Sequence, residues 1–529
     1  MLSRRRFIET VGLGMTALAA PPLFARRGFA QSAGPIPGEN VVVMIFLRGG
    51  ADGLTHVIPR TGQFYGDYRN LRPSIGLPRT EDPEGGPYAP ANDAPTAVFE
   101  RQVLLPLVQR YRNVANQNAI DPGFFGINST LNELLGLYTH NAPTHEGGLV
   151  AIHAVGNTSP RRSYSHFVAE DAIELAVDHP DDDPDGWMHR LIRELAPPGT
   201  VAPLTGVGIH PKPLMSLSGP ETGLYSTIGS LERFGLRSDL GGDPRAILQN
   251  AFASFGKPPS TGSGRGPGHG ILTTTGEGVF RALEDLTDLP APGRYPAEGS
   301  PSFHADPVLN GRLSDAARLI KNPSLGVRAI AMDFVGNWDY HTNIVSETPS
   351  YTLRLAGALR DFYADLGTPD PAREELTNPR DRTVTLVVTE FGRTAYENGG
   401  DPNARDDRPG TDHGFGSVMY ALGGKVIGNR VLSRRSRIAN PSDANLHLCG
   451  WPGLAPDELN VLPGSSNPAP GYRPEQRDLA GTIDVRDVLA DVLQHHMKLS
   501  EEQIARVLRG AQGSPYTRIP LPDDGLFES

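Results

Sequence analysis

The chain has 529 residues, of which 38% are hydrophobic, enough for a large core and for more than one unit of about 150 residues. Its formal net charge of −11 excludes the basic surface that nucleic-acid binding requires. One cysteine, Cys449, excludes an intrachain disulfide and cysteine-rich metal clusters, so any metal must be held by carboxylate, imidazole or hydroxyl groups.

The first element is a signal. Ser3-Arg4-Arg5-Arg6-Phe7-Ile8 has the pattern of an arginine pair, a spacer and then a large apolar residue. A weakly apolar run from Val11 to Ala20 follows, then Pro21-Pro22 and small-residue sites around Ala25 and Ala30. The run is shorter than the ~20 residues a stable bilayer span needs, so it reads as a removable twin-arginine signal over residues 1–30. The expected location is periplasmic or secreted, with the twin-arginine translocase as partner during export and no stable membrane span.

Four short, β-branched apolar runs then predict buried parallel strands: Val41 to Leu47, Leu149 to Val155, Val327 to Met332 and Val384 to Thr389. Helical patterns lie between and after them, at Thr130 to Tyr138, Tyr351 to Leu366 and Val485 to Met497. Strands alternating with helices predict an α/β fold: a three-layer sandwich with a mostly parallel central sheet and loop-rich insertions. The main domain is expected over 38–510, with an insertion at about 195–305 and a tail over 511–529. Phe255 to Gly270, Asp370 to Arg382 and Pro463 to Arg473 have loop composition, and 61 glycines and 49 prolines fit many turns.

Ligands of open parallel sheets bind beyond the carboxyl ends of the strands. Strand one is followed by Arg48-Gly49-Gly50-Ala51-Asp52-Gly53, and strand two by Arg161-Arg162-Ser163-Tyr164-Ser165-His166-Phe167. Strand three is followed by Asn337-Trp338-Asp339-Tyr340-His341, and strand four by Glu390-Phe391-Gly392-Arg393-Thr394 and then Gly410-Thr411-Asp412-His413-Gly414. Carboxylates and imidazoles gathered at one edge suit a divalent metal. A hydroxyl opening a helix beside arginines suits attack on an anionic ester, and a metal would stabilise the oxyanion. Each residue also has a structural reading. Asp52 is a turn former, Ser165 an N-cap, Glu390 with Arg393 an ion pair, Asp339 and His341 loop-surface residues, and Asp412-His413 a loop turn. His153 reads as a core histidine, and His145, His304, His495 and His496 as structural or solvated.

These motifs, Leu47 to Leu54, Ser165-His166-Phe167, Trp338 to His341, Glu390 to Thr394 and Gly410 to Gly414, resemble the domain-of-unknown-function family fifteen-hundred-and-one. The resemblance runs from about Val41 to Leu493. That family looks like a branch of the alkaline phosphatase and sulfatase superfamily, which implies an alkaline phosphatase-like fold and metal-dependent action on phosphate or sulfate esters. It implies Ser165 as nucleophile and Asp52, Asp339, His341, Glu390 and His413 as metal ligands, with Asp412 a replacement ligand. Arg48, Arg393 or His166 would bind the anionic group of the ester substrate. The superfamily has Asp-His where this chain has Glu390-Phe391, so one imidazole is missing and one or two ions (Zn, Ca, Mg or Mn) are expected. Ser159-Pro160-Arg161-Arg162 lacks the middle residue of the sulfatase nucleophile motif. The alternative is a non-catalytic exported protein that binds a polymer or an envelope-assembly partner.

Overall fold

The computed structural model describes residues 39–82, 148–196, 306–368, 378–398, 409–434, 451–461 and 476–522, and with short interruptions 102–138, 202–233, 286–297 and 525–527. The expected signal, the Phe255 to Gly270 loop, Pro463 to Arg473, His145, His304 and Cys449 lie outside them.

A mixed sheet forms the middle layer. Its strands are β1 (Val41–Phe46), β2 (Leu149–Gly156), β3 (Gly206–Gly208), β4 (Tyr225–Thr227), β5 (Ala329–Asp333), β6 (Thr383–Val388), β7 (Ser417–Gly423), β8 (Arg430–Leu432) and β9 (Ile483–Asp484). Their order is β8-β2-β7-β6-β1-β5-β3-β4, with β9 also paired to β2. All pairings are parallel except those of β7, which runs antiparallel to both β6 and β2. All four predicted strands are present. The region expected as an insertion supplies β3 and β4 to the sheet edge.

The helices are α1 (Gly62–Leu71), α2 (Asn132–Tyr138), α3 (His166–Leu175), α4 (Trp187–Leu195), α5 (Pro307–Lys321), α6 (Ile344–Leu366), α7 (Val485–Asp491) and α8 (Glu501–Val507). Helix α6 starts seven residues before the predicted Tyr351. The period-2 alternation of β1 shows why both faces must be covered. Val41, Val43 and Ile45 pack with Leu309, Leu313, Leu355 and Phe362 of α5 and α6. Val42, Met44 and Phe46 pack with Trp187, Leu191, Val488 and Ile504 of α4, α7 and α8, and with Leu526 and Phe527. Each such fully buried side chain contributes about 1.5–3 kcal/mol, which fixes the register of the central strand. Among the described residues no helix is long and apolar enough to cross a membrane.

This topology sends five chain segments to one edge. The segments after β1, β2, β5 and β6 leave from the carboxyl ends of mutually parallel strands. Because β7 is reversed, the segment that enters it, with Asp412 and His413, arrives at that same edge.

Candidate metal centre

The turn after β1 needs glycine. Gly49 has φ +114°, and a Cβ there would lie 2.5 Å from the Asp339 backbone nitrogen and 2.6 Å from that of Trp338. The bare backbone lets the segment after β5 approach β1 closely. The Gly49 N–H donates to Glu390 Oε1 at 2.7 Å. Arg393 then ties the segments together. Its guanidinium is fully buried and donates to the carbonyls of Gly49, Gly50, Trp338 and Thr411 and to Asp339 Oδ1 at 2.6 Å. Backbone bonds from Thr394 to Asp412 and from Gly414 to Gly392 complete the placement of His413.

Three imidazoles converge on Asp339. His413 Nε2 lies 3.2 Å from Oδ1, His341 Nε2 lies 3.0 Å from Oδ1, and His166 Nε2 lies 3.4 Å from Oδ2. His341 and His413 approach each other at 3.2 Å between their Nε2 atoms. In every ring the other nitrogen is committed to an oxygen: His413 Nδ1 to the Tyr164 carbonyl at 2.7 Å, His166 Nδ1 to Glu390 at 2.7 Å, and His341 Nδ1 to Asp412 at 3.0 Å. A carbonyl or carboxylate only accepts, so each Nδ1 carries the proton, and in its neutral form each ring turns a bare Nε2 toward a carboxylate. In that form acceptors face acceptors, and Arg393 donates to Asp339. Among the described residues, His166 Nε2 is buried without a hydrogen-bond partner.

A cation would resolve this arrangement. The separations are close to the edge of about 3.3 Å expected between ligand atoms bound tetrahedrally at about 2.0–2.1 Å. The committed Nδ1 atoms are the outer hydrogen bonds that orient metal-binding histidines. His166, Asp339 and His413 bring their ligand atoms within 4.8 Å of one another. The residues fit a divalent metal.

The electrostatics divide: the shifts of Asp339 and His166 favour a protonated ring beside the carboxylate, and that of His413 a neutral one. Burial opposes the charge on Asp339, but the Arg393 hydrogen bond and charge, with His341 and His166, hold its carboxyl at about 2. The hydrogen bond from His341 lowers Asp412. Burial lowers His413, which favours its neutral form, whereas the hydrogen bond to Glu390 raises His166, which favours its protonated form.

Four of the expected ligands, Asp339, His341, Asp412 and His413, are gathered here, although Asp412 supports His341 through its Nδ1. Glu390 is buried and supports His166 in the same way. His166, expected at the anion, joins the nitrogen donors. Asp52 is not among them. Arg72 takes both its oxygens, at 2.5 and 3.1 Å, and its Oδ1 caps the Leu54 N–H, so its structural reading holds. Arg48 and Arg393 are not turned to an anion either. Arg48 is enclosed by Asp333, Glu170 and Glu174, and Arg393 is inside the loops it ties. Glu390 and Arg393 pair with His166 and Asp339 rather than with each other. Ser165 stands exposed at the N-cap of α3, and its hydroxyl makes no cap bond. Phe391, where an imidazole was expected, is buried against the His166 and His413 rings at 5.0 and 4.8 Å. His153 is a core histidine, 2.6 Å from the Val57 carbonyl.

The reading of the sequence passed over Glu170 and Glu174. The i, i+4, i+8 spacing from His166 was the available signal, since it lines all three on one face of α3.

Fold and site together define a mixed α/β sandwich with a histidine–carboxylate centre at the strand-end edge. The model of a family described as Protein of unknown function (DUF1501) matches residues 316–447. This supports the domain-of-unknown-function family over the stretch that carries Asp339, His341, Glu390, Arg393, Asp412 and His413. No curated protein matches the chain.

Proposed function

We propose that the protein is an exported, metal-dependent hydrolase of phosphate or sulfate esters, built on an alkaline phosphatase-like form of the α/β sandwich. The observation that carries this reading is the convergence of three bare imidazole nitrogens on Asp339. His166, His341, His413 and Asp339 would hold the ion. Three nitrogens and a carboxylate suit zinc or another borderline transition ion better than calcium or magnesium, which prefer oxygen. A bound ion there would supply Lewis-acid charge to an ester oxygen.

The chain's own groups do the rest. Ser165 offers a hydroxyl where the first N–H groups of α3 favour negative charge. Its Oγ would displace the alcohol from phosphorus or sulfur, giving a seryl ester. Water would then cleave that ester and restore Ser165, so one water splits substrate into alcohol and oxyanion. Glu390 holds the His166 proton at Nδ1, and the Phe391 ring excludes water from one side of His166 and His413. The arginine pair and short apolar run of residues 1–30 support twin-arginine export.

Elemental analysis with a chelator-sensitive assay on aryl phosphate and aryl sulfate esters tests the reading. Ser165→Ala should keep its metal and lose turnover by on the order of 10³-fold. Absence of bound metal, or full turnover in Ser165→Ala, would sink it.

A further inference from the structure

A second group of ligand-type atoms adjoins the first. His166, Glu170 and Glu390 each bring one atom within 4.8 Å of the others. By residue type alone, this group would take another divalent ion. Its surroundings differ from those of Asp339.

Arg48 lies against the face of α3 that carries His166, Glu170 and Glu174. Its Nη1 donates to Glu170 at 2.8 Å and its Nη2 to Glu174 at 2.6 Å. Its Nε and Nη2 reach the two oxygens of Asp333 at 2.8 and 3.1 Å. The same guanidinium sits 4.4 Å from the Phe46 ring centroid, which fixes its plane. A planar fork that is always charged is thus locked between the ends of β1, β5 and α3.

We propose that Arg48 is the second cation of this edge: its guanidinium stands where a second metal ion would, and the protein binds one divalent ion only. The proposal rests on the metal centre described above. Two observations support it. An ion between Glu170 and Glu390 would have to displace Arg48 from Glu170 or share that carboxylate against like-charge repulsion. The same guanidinium also occupies Glu174 and Asp333, the other carboxylates that an ion at this position could draw on. One cation of the edge therefore exchanges with solution, and the other is part of the chain.

Zinc titration calorimetry and elemental analysis of the full chain test this. Wild type should bind one zinc per chain. His413→Ala should weaken it at least 100-fold, and Glu170→Gln should keep it within threefold. Arg48→Ala should gain a second equivalent. Two zinc ions in wild type would overturn the proposal alone. So would loss of the single ion in Glu170→Gln with retention in His413→Ala, or a folded Arg48→Ala that still binds one. No zinc in wild type would overturn the metal centre itself, and the proposal with it. If Arg48→Ala does not fold, the wild-type ratio and the other two variants still decide.

Discussion

The two charged clusters at the strand-end edge meet at His166 and are built in opposite ways. Around Asp339, three imidazole nitrogens face one carboxylate, and Arg393 donates to it. Around Arg48, three carboxylates close on a guanidinium. A cation from solution would complete the first arrangement, whereas the second contains its own. Acidic side chains at a sheet edge therefore do not by themselves mark a metal centre. Imidazoles with one nitrogen locked and the other turned to a carboxylate are the stronger signal.

Exchanging one residue on each side should separate metal binding from stability. Asp339→Ala should abolish zinc binding at working concentrations, by more than about 100-fold, while circular dichroism stays native. Arg393 then keeps its four carbonyl acceptors. Arg48→Ala should leave the first zinc bound but cost about 3 kcal/mol in urea unfolding, because three carboxylates lose their shared cation. If both variants lost the same property, the contrast would collapse.

Histidines away from both clusters sharpen it. His56, His153 and His496 are fully or almost fully buried, and burial pushes each down to about 4. Their folded values lie below the unfolded value of about 6.5, so the unfolded chain binds more protons as pH falls. Their contribution to stability is complete above about 6.5 and is lost as pH falls toward 4, by about 1.4 kcal/mol per pH unit for each histidine. Urea unfolding of zinc-free protein between pH 7.5 and 4.5 should show this slope, and a flat profile would contradict it.

The smallest effect belongs to the supporting carboxylate. Glu390→Gln keeps an acceptor for His166 Nδ1 but removes its charge, so zinc affinity should fall about 10-fold with the fold unchanged. Calorimetry on the variant checks this. A loss as large as that of Asp339→Ala would mean that Glu390 is itself a ligand.

Much of the fold was legible because buried parallel strands are short apolar runs bounded by glycine and polar residues. Val41–Phe46 and Thr383–Val388 stood out for that reason. The antiparallel direction of Ser417–Gly423 was not legible, since an apolar run has no direction until its neighbours are known. Asp339, His341 and His413 were found from residue type at strand ends. Asp52 and Arg48 were read by the same rule and placed otherwise, because Arg72 and Glu170 reach them from distant segments.

The sequence by itself determined the strand cores, the α/β alternation and the set of titratable groups at their ends, because side-chain periodicity and local composition encode these. Only the tertiary structure decided which group faces which. Hydrogen-bond partners such as the Tyr164 carbonyl for His413 and the Arg393 guanidinium for Asp339 come from segments far apart in the chain. A proton's place on an imidazole, and with it the direction of the bare nitrogen, follows from those partners and from nothing local.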